Sequence, residues 1–270
     1  MLVLRKVRKT FHAGAPTEVR ALDGVSLSVA DAEFVTVIGS NGSGKSTLLS
    51  AIAGAFRCDE GSIEIGGADA THWPEHQRAA LVGRVFQNPL GGTAPDMTIA
   101  ENFALASRRG LARGLAPALT KTLRVEIAER VAQLRMGLET RLDTPIGTLS
   151  GGQRQALTLL MATWLRPKVL LLDEHTAALD PKSADQIARL TAEIVQREKL
   201  CALMVTHSMQ QATQMGTRIV MMHRGQVAWD VSGGERKHVR PDDLLARFEA
   251  LRRRDQLDEG TTAMLRRMYV

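Results

Sequence analysis

The stretch Gly39–Thr47, G-S-N-G-S-G-K-S-T, constrains this chain most. It fits the phosphate-binding loop pattern G-x-x-x-x-G-K-[S/T], with Lys45 and Ser46 in the two decisive places. Glu33–Ile38 (E-F-V-T-V-I) before it is a short apolar, β-branched run that reads as a buried strand. After Lys45, S-T-L-L-S-A-I-A reads as a helix. Glycines let backbone N–H groups along Gly39, Ser40, Asn41, Gly42, Ser43, Gly44 and on to Thr47 turn inward around a phosphate chain. The helix N-terminus adds about half a positive charge at the same place. Lys45 would reach the β- and γ-phosphates and the Ser46 hydroxyl would take one position on Mg²⁺. The competing reading is a Gly/Ser-rich turn that matches by chance, and the strand and helix on either side argue against it.

At 270 residues the chain has room for one large or two modest domains, and 44% apolar content marks a globular protein. Apolar runs such as Val169–Leu172 and Ala202–Val205 fall far short of the roughly 20 residues of a membrane span. The opening M-L-V-L-R-K-V-R-K lacks the apolar core of a signal peptide. Cys58 and Cys201 have no C-x-x-C spacing and read as buried thiols in a reducing compartment. The net charge of +6 raises nucleic acid or an anionic membrane as partners. Yet Ser232 to the end holds nine Lys/Arg against seven Asp/Glu, with no basic arm or aromatic-studded basic face. A generally basic surface is the reading that follows, and no nucleic-acid partner is expected.

Further along, Met1–Ala32 reads as short strands joined by a polar loop at His12–Thr17. Phe11 is an isolated aromatic there, either an adenine-stacking ring or a half-buried strand residue. Gly61–Gly66 and Leu81–Gln87 read as strands. Gln87, at a strand end near the loop, either binds Mg²⁺ or orients water, or is an ordinary surface residue. From Asn88 to Thr148 the pattern turns helical. Thr98-Ile99-Ala100-Glu101 has capping-box spacing, and Leu119, Leu123, Ile127, Val131 and Leu134 lie on one helical face. Glycines 110 and 114 and Pro117 separate the two helices, so this segment reads as a helical insertion.

Ser150, Gly151, Gly152 and Gln153 open an apolar helix and form a second anion-binding N-terminus. Val169–Leu172 then reads as a buried parallel strand ending in Asp173-Glu174. Two adjacent carboxylates at a buried strand end are costly without a cation. The phosphate loop supplies a use: Asp173 for Mg²⁺ and Glu174 for the attacking water. Asp180-Pro181 starts a helix running to about Lys199, with Ile187, Leu190 and Ile194 inward. Cys201–Thr206 is one more strand, and His207 emerges where open α/β sheets carry ligands. Arg218–Val231 reads as a hairpin. Ser232-Gly233-Gly234-Glu235 reads as a turn, and Leu244, Leu245, Phe248 and Leu251 share one face of a last helix that docks on the domain, with Arg252–Arg254 outside that face.

With Gly39–Thr47, L-S-G-G-Q at 149–153, L-L-L-D-E at 170–174 and His207 in this order, the chain resembles an ABC-type ATPase subunit. The resemblance runs from about residue 1 to 231. It implies an α/β P-loop NTPase core with a mixed, mainly parallel sheet, an N-terminal antiparallel β-subdomain and a helical insertion at about 88–150. Residues 232–270 would be a C-terminal helical extension. It implies ATP and Mg²⁺ as ligands and ATP hydrolysis coupled to transport. Phe11 would stack on adenine, and Gln87 would sense both γ-phosphate and membrane partner. Ser150 and Gly152 would bind γ-phosphate held by a second subunit, in a homodimer whose sites take Ser150–Gln153 from the opposite chain. Ala177–Asp180 would form the D-loop and His207 would contact the γ-phosphate. An integral-membrane permease, indirectly a substrate-binding protein, and a place on the cytoplasmic face of the inner membrane follow as expectations.

His175 departs from the family pattern, which has Pro there, and the signature continues Q-R-Q-A-L-T-L-L-M-A where many members have a more basic R-V-A-I-A-R-A run. These features are similar to ATPases of bacterial uptake systems, some linked to aromatic amino acids. An exporter or lipoprotein-release ATPase differs chiefly in its membrane partner. A non-transport ATPase acting on DNA or the ribosome would carry long coiled-coil insertions or a second ATPase unit. A regulatory module without turnover would not need Glu174 and His207.

Overall fold

In the computed structural model, which describes residues 1–111 and 117–253, β1 (Leu2–Phe11) and β2 (Val19–Val29) pair antiparallel around the polar loop. β3 (Phe34–Gly39) opens into the glycine-rich loop and α1 (Lys45–Ala53). β4 (Glu60–Ile65) and β5 (Ala68–Asp69) return to β1 and complete a four-stranded sheet in the order β2-β1-β4-β5. A single turn, α2 (Glu75–Arg78), leads into β6 (Val82–Val85). β6 is shorter than the expected Leu81–Gln87. Its ladder with the next strand ends at Val85 opposite Leu172, so Gln87 lies past the sheet.

Helices fill the next stretch. At α3 (Ile99–Ala106) the Thr98 hydroxyl accepts the Glu101 N–H at 3.2 Å while the Glu101 carboxylate accepts the Thr98 N–H at 2.8 Å. α4 (Lys121–Ala132) buries Ile127 and Val131, whereas Leu119 and Leu123 are only half-buried; Gly114 lies outside the described residues. α5 (Gly151–Thr163) is capped by Ser150 and packs Ala156, Leu157 and Leu160 into one core with Ile99, Phe103 and Ile127.

β7 (Val169–Asp173), α6 (Pro181–Glu198), β8 (Cys201–Val205), α7 (Met209–Gln214), β9 (Arg218–His223) and β10 (Gln226–Ser232) complete a six-stranded sheet. Its order is β10-β9-β3-β8-β7-β6, with β10 the antiparallel edge and the rest parallel. Period-two alternation sends each strand's side chains to two cores. Leu171, Leu203 and Val205 meet α1 and the small sheet on one face. Leu170, Leu172, Ala202 and Met204 meet α5 and α6 on the other. Each fully buried Leu or Val contributes roughly 1.5–3 kcal/mol. Cys201 sits in this interior, where burial pushes its thiol up to about 12; Cys58 is only half-buried.

The expected turn at Ser232–Glu235 is instead the end of β10 followed by one helical turn, α8 (Gly233–Arg236). Arg236 holds it in place by donating to the Met215 carbonyl at 2.8 Å. A last helix over 241–253 packs Leu244 and Phe248 against Ile38, Ile219, Met221 and Val231, while Leu245 is exposed; Arg254 lies outside the described residues.

Candidate active site

Register brings the chemistry together. Gly39 pairs with Met222 on β9, and Asp173 pairs with Val205 on β8, so the loops after β3, β7 and β8 leave the sheet side by side at its carboxyl edge. Gly39 cannot be replaced in this loop: a Cβ there would stand 2.3 Å from Ser43 Oγ and 2.6 Å from the Met222 carbonyl. Gly44, at φ +98°, is the N-cap of α1 and offers no side chain to cap it. The first N–H groups of α1 are thus left to an incoming anion. Lys45 is buried, and its Nζ donates to the carbonyls of Gly39 at 2.8 Å and Ser40 at 3.0 Å. Burial pulls the Lys45 pKa down, partly offset by Glu174 and Asp173 nearby.

The two carboxylates of the acid pair face different partners. Asp173 Oδ1 lies 3.5 Å from Ser46 Oγ, and Oδ2 lies 3.7 Å from Arg84 Nη2. Burial raises the Asp173 pKa, against the pull of Arg84. A hydroxyl and a desolvated carboxylate side by side are the hard oxygen donors that Mg²⁺ takes together with substrate phosphates. Among the described residues no cluster of three His, Cys, Asp or Glu could hold a metal alone. Buried Ser43 Oγ has no partner in the same loop. The residues present fit a Mg²⁺–phosphate ligand.

Glu174 adopts a left-handed backbone at φ +45°, pinned by its N–H donating to the Val205 carbonyl at 3.1 Å. Its carboxylate, only 13% exposed, is 2.6 Å from Nε2 of His207, whose ring is 46% exposed. His175 is buried, with Nε2 2.9 Å from Thr191 Oγ1. The Thr191 hydroxyl donates to the Ile187 carbonyl at 2.8 Å, so His175 Nε2 carries the proton that Thr191 accepts. Burial holds the His175 pKa at about 4.

Other expected residues stand apart from this cluster. Gln87 is exposed, and no hydrogen bond joins it to Ser46 or Asp173. Phe11 packs on Phe56 at 5.4 Å in an edge arrangement, with Lys9 5.6 Å from both rings. Ser150 and Gln153 are spent on each other: Ser150 Oγ accepts the Gln153 N–H at 3.3 Å, and Gln153 Oε1 accepts the Ser150 N–H at 3.2 Å. Gly151 faces Leu179 and Gly152 faces Ser183, at the start of α6. Two neighbours are not evident from the sequence alone. Arg84, a lone charge inside an apolar strand, also donates to Ser50 Oγ at 3.2 Å; that charge was the available signal. Gly225 donates to the Ser43 carbonyl at 3.0 Å and accepts from Asp23 N–H at 2.9 Å, clamping the phosphate loop from outside.

A loop wrapped around a buried lysine, with a serine–carboxylate pair and a Glu–His contact at the carboxyl edge of a mainly parallel sheet, defines a P-loop nucleotide hydrolase. Comparison with known proteins narrows that class. The ABC transporter family model matches residues 22–177, and the chain belongs to that family. The tyrosine transport ATP-binding protein of Clostridioides difficile is 40% identical over 252 residues, covering 92% of this chain and 99% of that protein. The lipoprotein-releasing system ATP-binding protein LolD 1 of Caulobacter vibrioides is 34% identical, over 80% of this chain and 90% of its own. The spermidine/putrescine import ATP-binding protein PotA of Haemophilus influenzae is also 34% identical over 92% of this chain, which spans only 62% of that relative. Among solved structures, the ADP form of the cassette MJ1267 aligns at TM-score 0.76 and 26% identity, over 93% of this chain and 98% of its own. A dimeric post-hydrolysis cassette, MJ0796 with ADP and Pi, aligns at TM-score 0.73 and 28% identity, over 86% and 98%. The chain is an ABC transporter ATPase that uses ATP with Mg²⁺, and such cassettes work in pairs alongside a membrane permease. Among the described residues no helix is long and apolar enough to cross a membrane.

Proposed function

We propose that this chain drives solute import, with an amino acid or related small molecule as cargo, from the cytoplasmic face of the inner membrane. The cargo class rests on the tyrosine transport relative, which this chain matches over nearly its full length. The observation that carries the hydrolytic assignment is the Glu174–His207 contact of 2.6 Å beside the Ser46–Asp173 pair. Lys45 moves from the loop carbonyls to the β- and γ-phosphates. Ser46 and Asp173 hold Mg²⁺, which when bound neutralises phosphate charge. Glu174 orients and deprotonates the attacking water, and His207 releases Glu174 to contact the γ-phosphate. Phosphoryl transfer is chiefly positioning and charge stabilisation, so these residues act by where they stand. Phe11, braced by Phe56, stacks on adenine, and exposed Gln87 links the nucleotide to the permease. Ser150, Gly151, Gly152 and Gln153 of a second copy close over the γ-phosphate.

Glu174→Gln should bind ATP with parental affinity and lose roughly 10²–10⁴ in turnover. Full turnover in that variant would remove Glu174 from the chemistry. Lys45→Ala should weaken ATP binding itself, and unchanged affinity in a titration with a fluorescent nucleotide would count against the loop assignment. The lipoprotein-release relative keeps a second reading open, in which the same ATPase serves an exporter. The membrane protein that copurifies with the chain decides between the two.

A further inference from the structure

The loops that carry Glu174 and His207 leave neighbouring strands, and a side chain outside both joins them. Gln211, within α7, places Oε1 3.0 Å from Thr206 Oγ1 and 3.3 Å from Thr176 Oγ1. Its Nε2 lies 3.1 Å from the same Thr176 hydroxyl. Thr176 follows Glu174 by two residues, and Thr206 immediately precedes His207. Both threonines are buried, at 7% and 5% exposure, so their hydroxyls need these partners. Thr206 Oγ1 also accepts the Ser208 N–H at 3.1 Å, and Ser208 Oγ accepts the Gln211 N–H at 3.2 Å. The amide is thereby held at its backbone as well as at its tip.

We propose that Gln211 is a positioning residue: its amide staples the Thr176 and Thr206 loops, setting the approach of Glu174 to His207. This rests on the reading of Glu174 as the residue that orients the attacking water and of His207 as the residue that leaves Glu174 to contact the γ-phosphate. Glu174 has a left-handed backbone, a conformation that persists only where the surroundings over-determine it. The Val205 carbonyl fixes the near side of that residue, and the Gln211–Thr176 bond fixes the chain just beyond it. Without the staple the Thr176 and Thr206 hydroxyls are no longer joined, so the Glu174 loop meets β8 through the Glu174 N–H alone and Thr206 keeps only its N–H bond to the Val37 carbonyl and its bond from Ser208. ATP contacts none of these three side chains in the proposed mechanism, so the staple acts on turnover and leaves nucleotide affinity alone.

The test uses the full chain reconstituted with the permease that copurifies with it, measuring kcat and KM for ATP. Gln211→Met keeps side-chain length and removes both polar atoms. It should lower kcat roughly 10- to 100-fold, the cost of a misplaced catalytic group, and leave KM within about twofold. Gln211→Glu keeps an acceptor for both threonine hydroxyls and should recover most of the lost kcat. Thr176→Val should reproduce the loss independently, and Thr176→Val/Gln211→Met should be no slower than Gln211→Met alone, because the two changes break one link. A Gln211→Met enzyme with parental kcat, a KM that rises as kcat falls, a Gln211→Glu enzyme as slow as the Met variant, or additive losses in the double variant would each overturn the proposal. Should Gln211→Met fail to fold, Thr176→Val with parental kcat, or Gln211→Glu as slow as Thr176→Val, would overturn it instead. Glu174→Gln in the same assay separates the two claims. If it keeps turnover, the underlying reading fails; if it stops turnover while Gln211→Met does not, only the staple fails.

Discussion

Burial decides the charge of the histidine that follows the acid pair. His175 is held at about 4 by desolvation, against an ordinary 6.5. Between those values the unfolded chain binds a proton that the folded chain refuses. Stability therefore rises as pH rises from about 4 to 6.5, and below that window the fold has lost up to roughly 3 kcal/mol. Urea unfolding across the window should show this slope, and His175→Gln, which can still donate to Thr191, should flatten it. Equal slopes in the two proteins would show that His175 is not the titrating group. The family pattern has proline at this position, which has no N–H and disfavours helical backbone in the residue before it. Histidine instead links the residue after Glu174 to α6 through Thr191, at 2.9 Å.

At the scale of elements, the helix that receives the phosphate loop is closed at its far end by the Gly54 N–H, which donates to Ala51, and by one arginine. Arg78 is buried, and its Nη1 donates to the carbonyls of Ala51 at 2.6 Å and Ile52 at 3.0 Å. Its Nε donates to Trp73 at 3.0 Å and its Nη2 to Thr71 at 3.1 Å. A guanidinium fork reaches all four carbonyls; a lysine ammonium has neither the donors nor the geometry. Arg78→Lys should cost about 2–4 kcal/mol, since the guanidinium's bonds to four carbonyls are lost and only Ala51 keeps another donor, the Gly54 N–H. An unchanged urea midpoint would contradict this. Elements of this kind divide by how they were legible. β3, β7 and β8 showed as apolar runs because both of their faces are buried, and the Thr98 cap showed because its partners are local in sequence. The extent of β6 and the half-exposure of Leu119 and Leu123 depend on what packs alongside, which periodicity does not encode. Arg78, Arg84, Gly225 and Gln211 gain their roles from partners far away in sequence, so only register and packing reveal them. The cluster was legible because Lys45 and Ser46 open the helix of a recognisable loop motif, while Asp173, Glu174 and His207 stand at or just past the ends of apolar strands.

At the scale of the whole molecule, one chain holds half of the proposed site. The loop, the acid pair and His207 converge at one sheet edge, while Ser150 and Gln153 close a capping box on each other, with no hydrogen bond to the loop. A dimeric cassette that holds ADP and Pi is among the structures this fold matches. ATP would therefore join two copies, each phosphate loop facing the other copy's Ser150–Gln153. Sedimentation of Glu174→Gln with ATP, with and without Ser150→Asp, tests this most directly. Aspartate keeps the N-cap of α5 but sets a negative charge against the γ-phosphate. Glu174→Gln should sediment as a dimer with ATP, and Glu174→Gln/Ser150→Asp should stay a monomer that still binds ATP. A double variant that dimerises as readily as Glu174→Gln would contradict this pairing of half-sites.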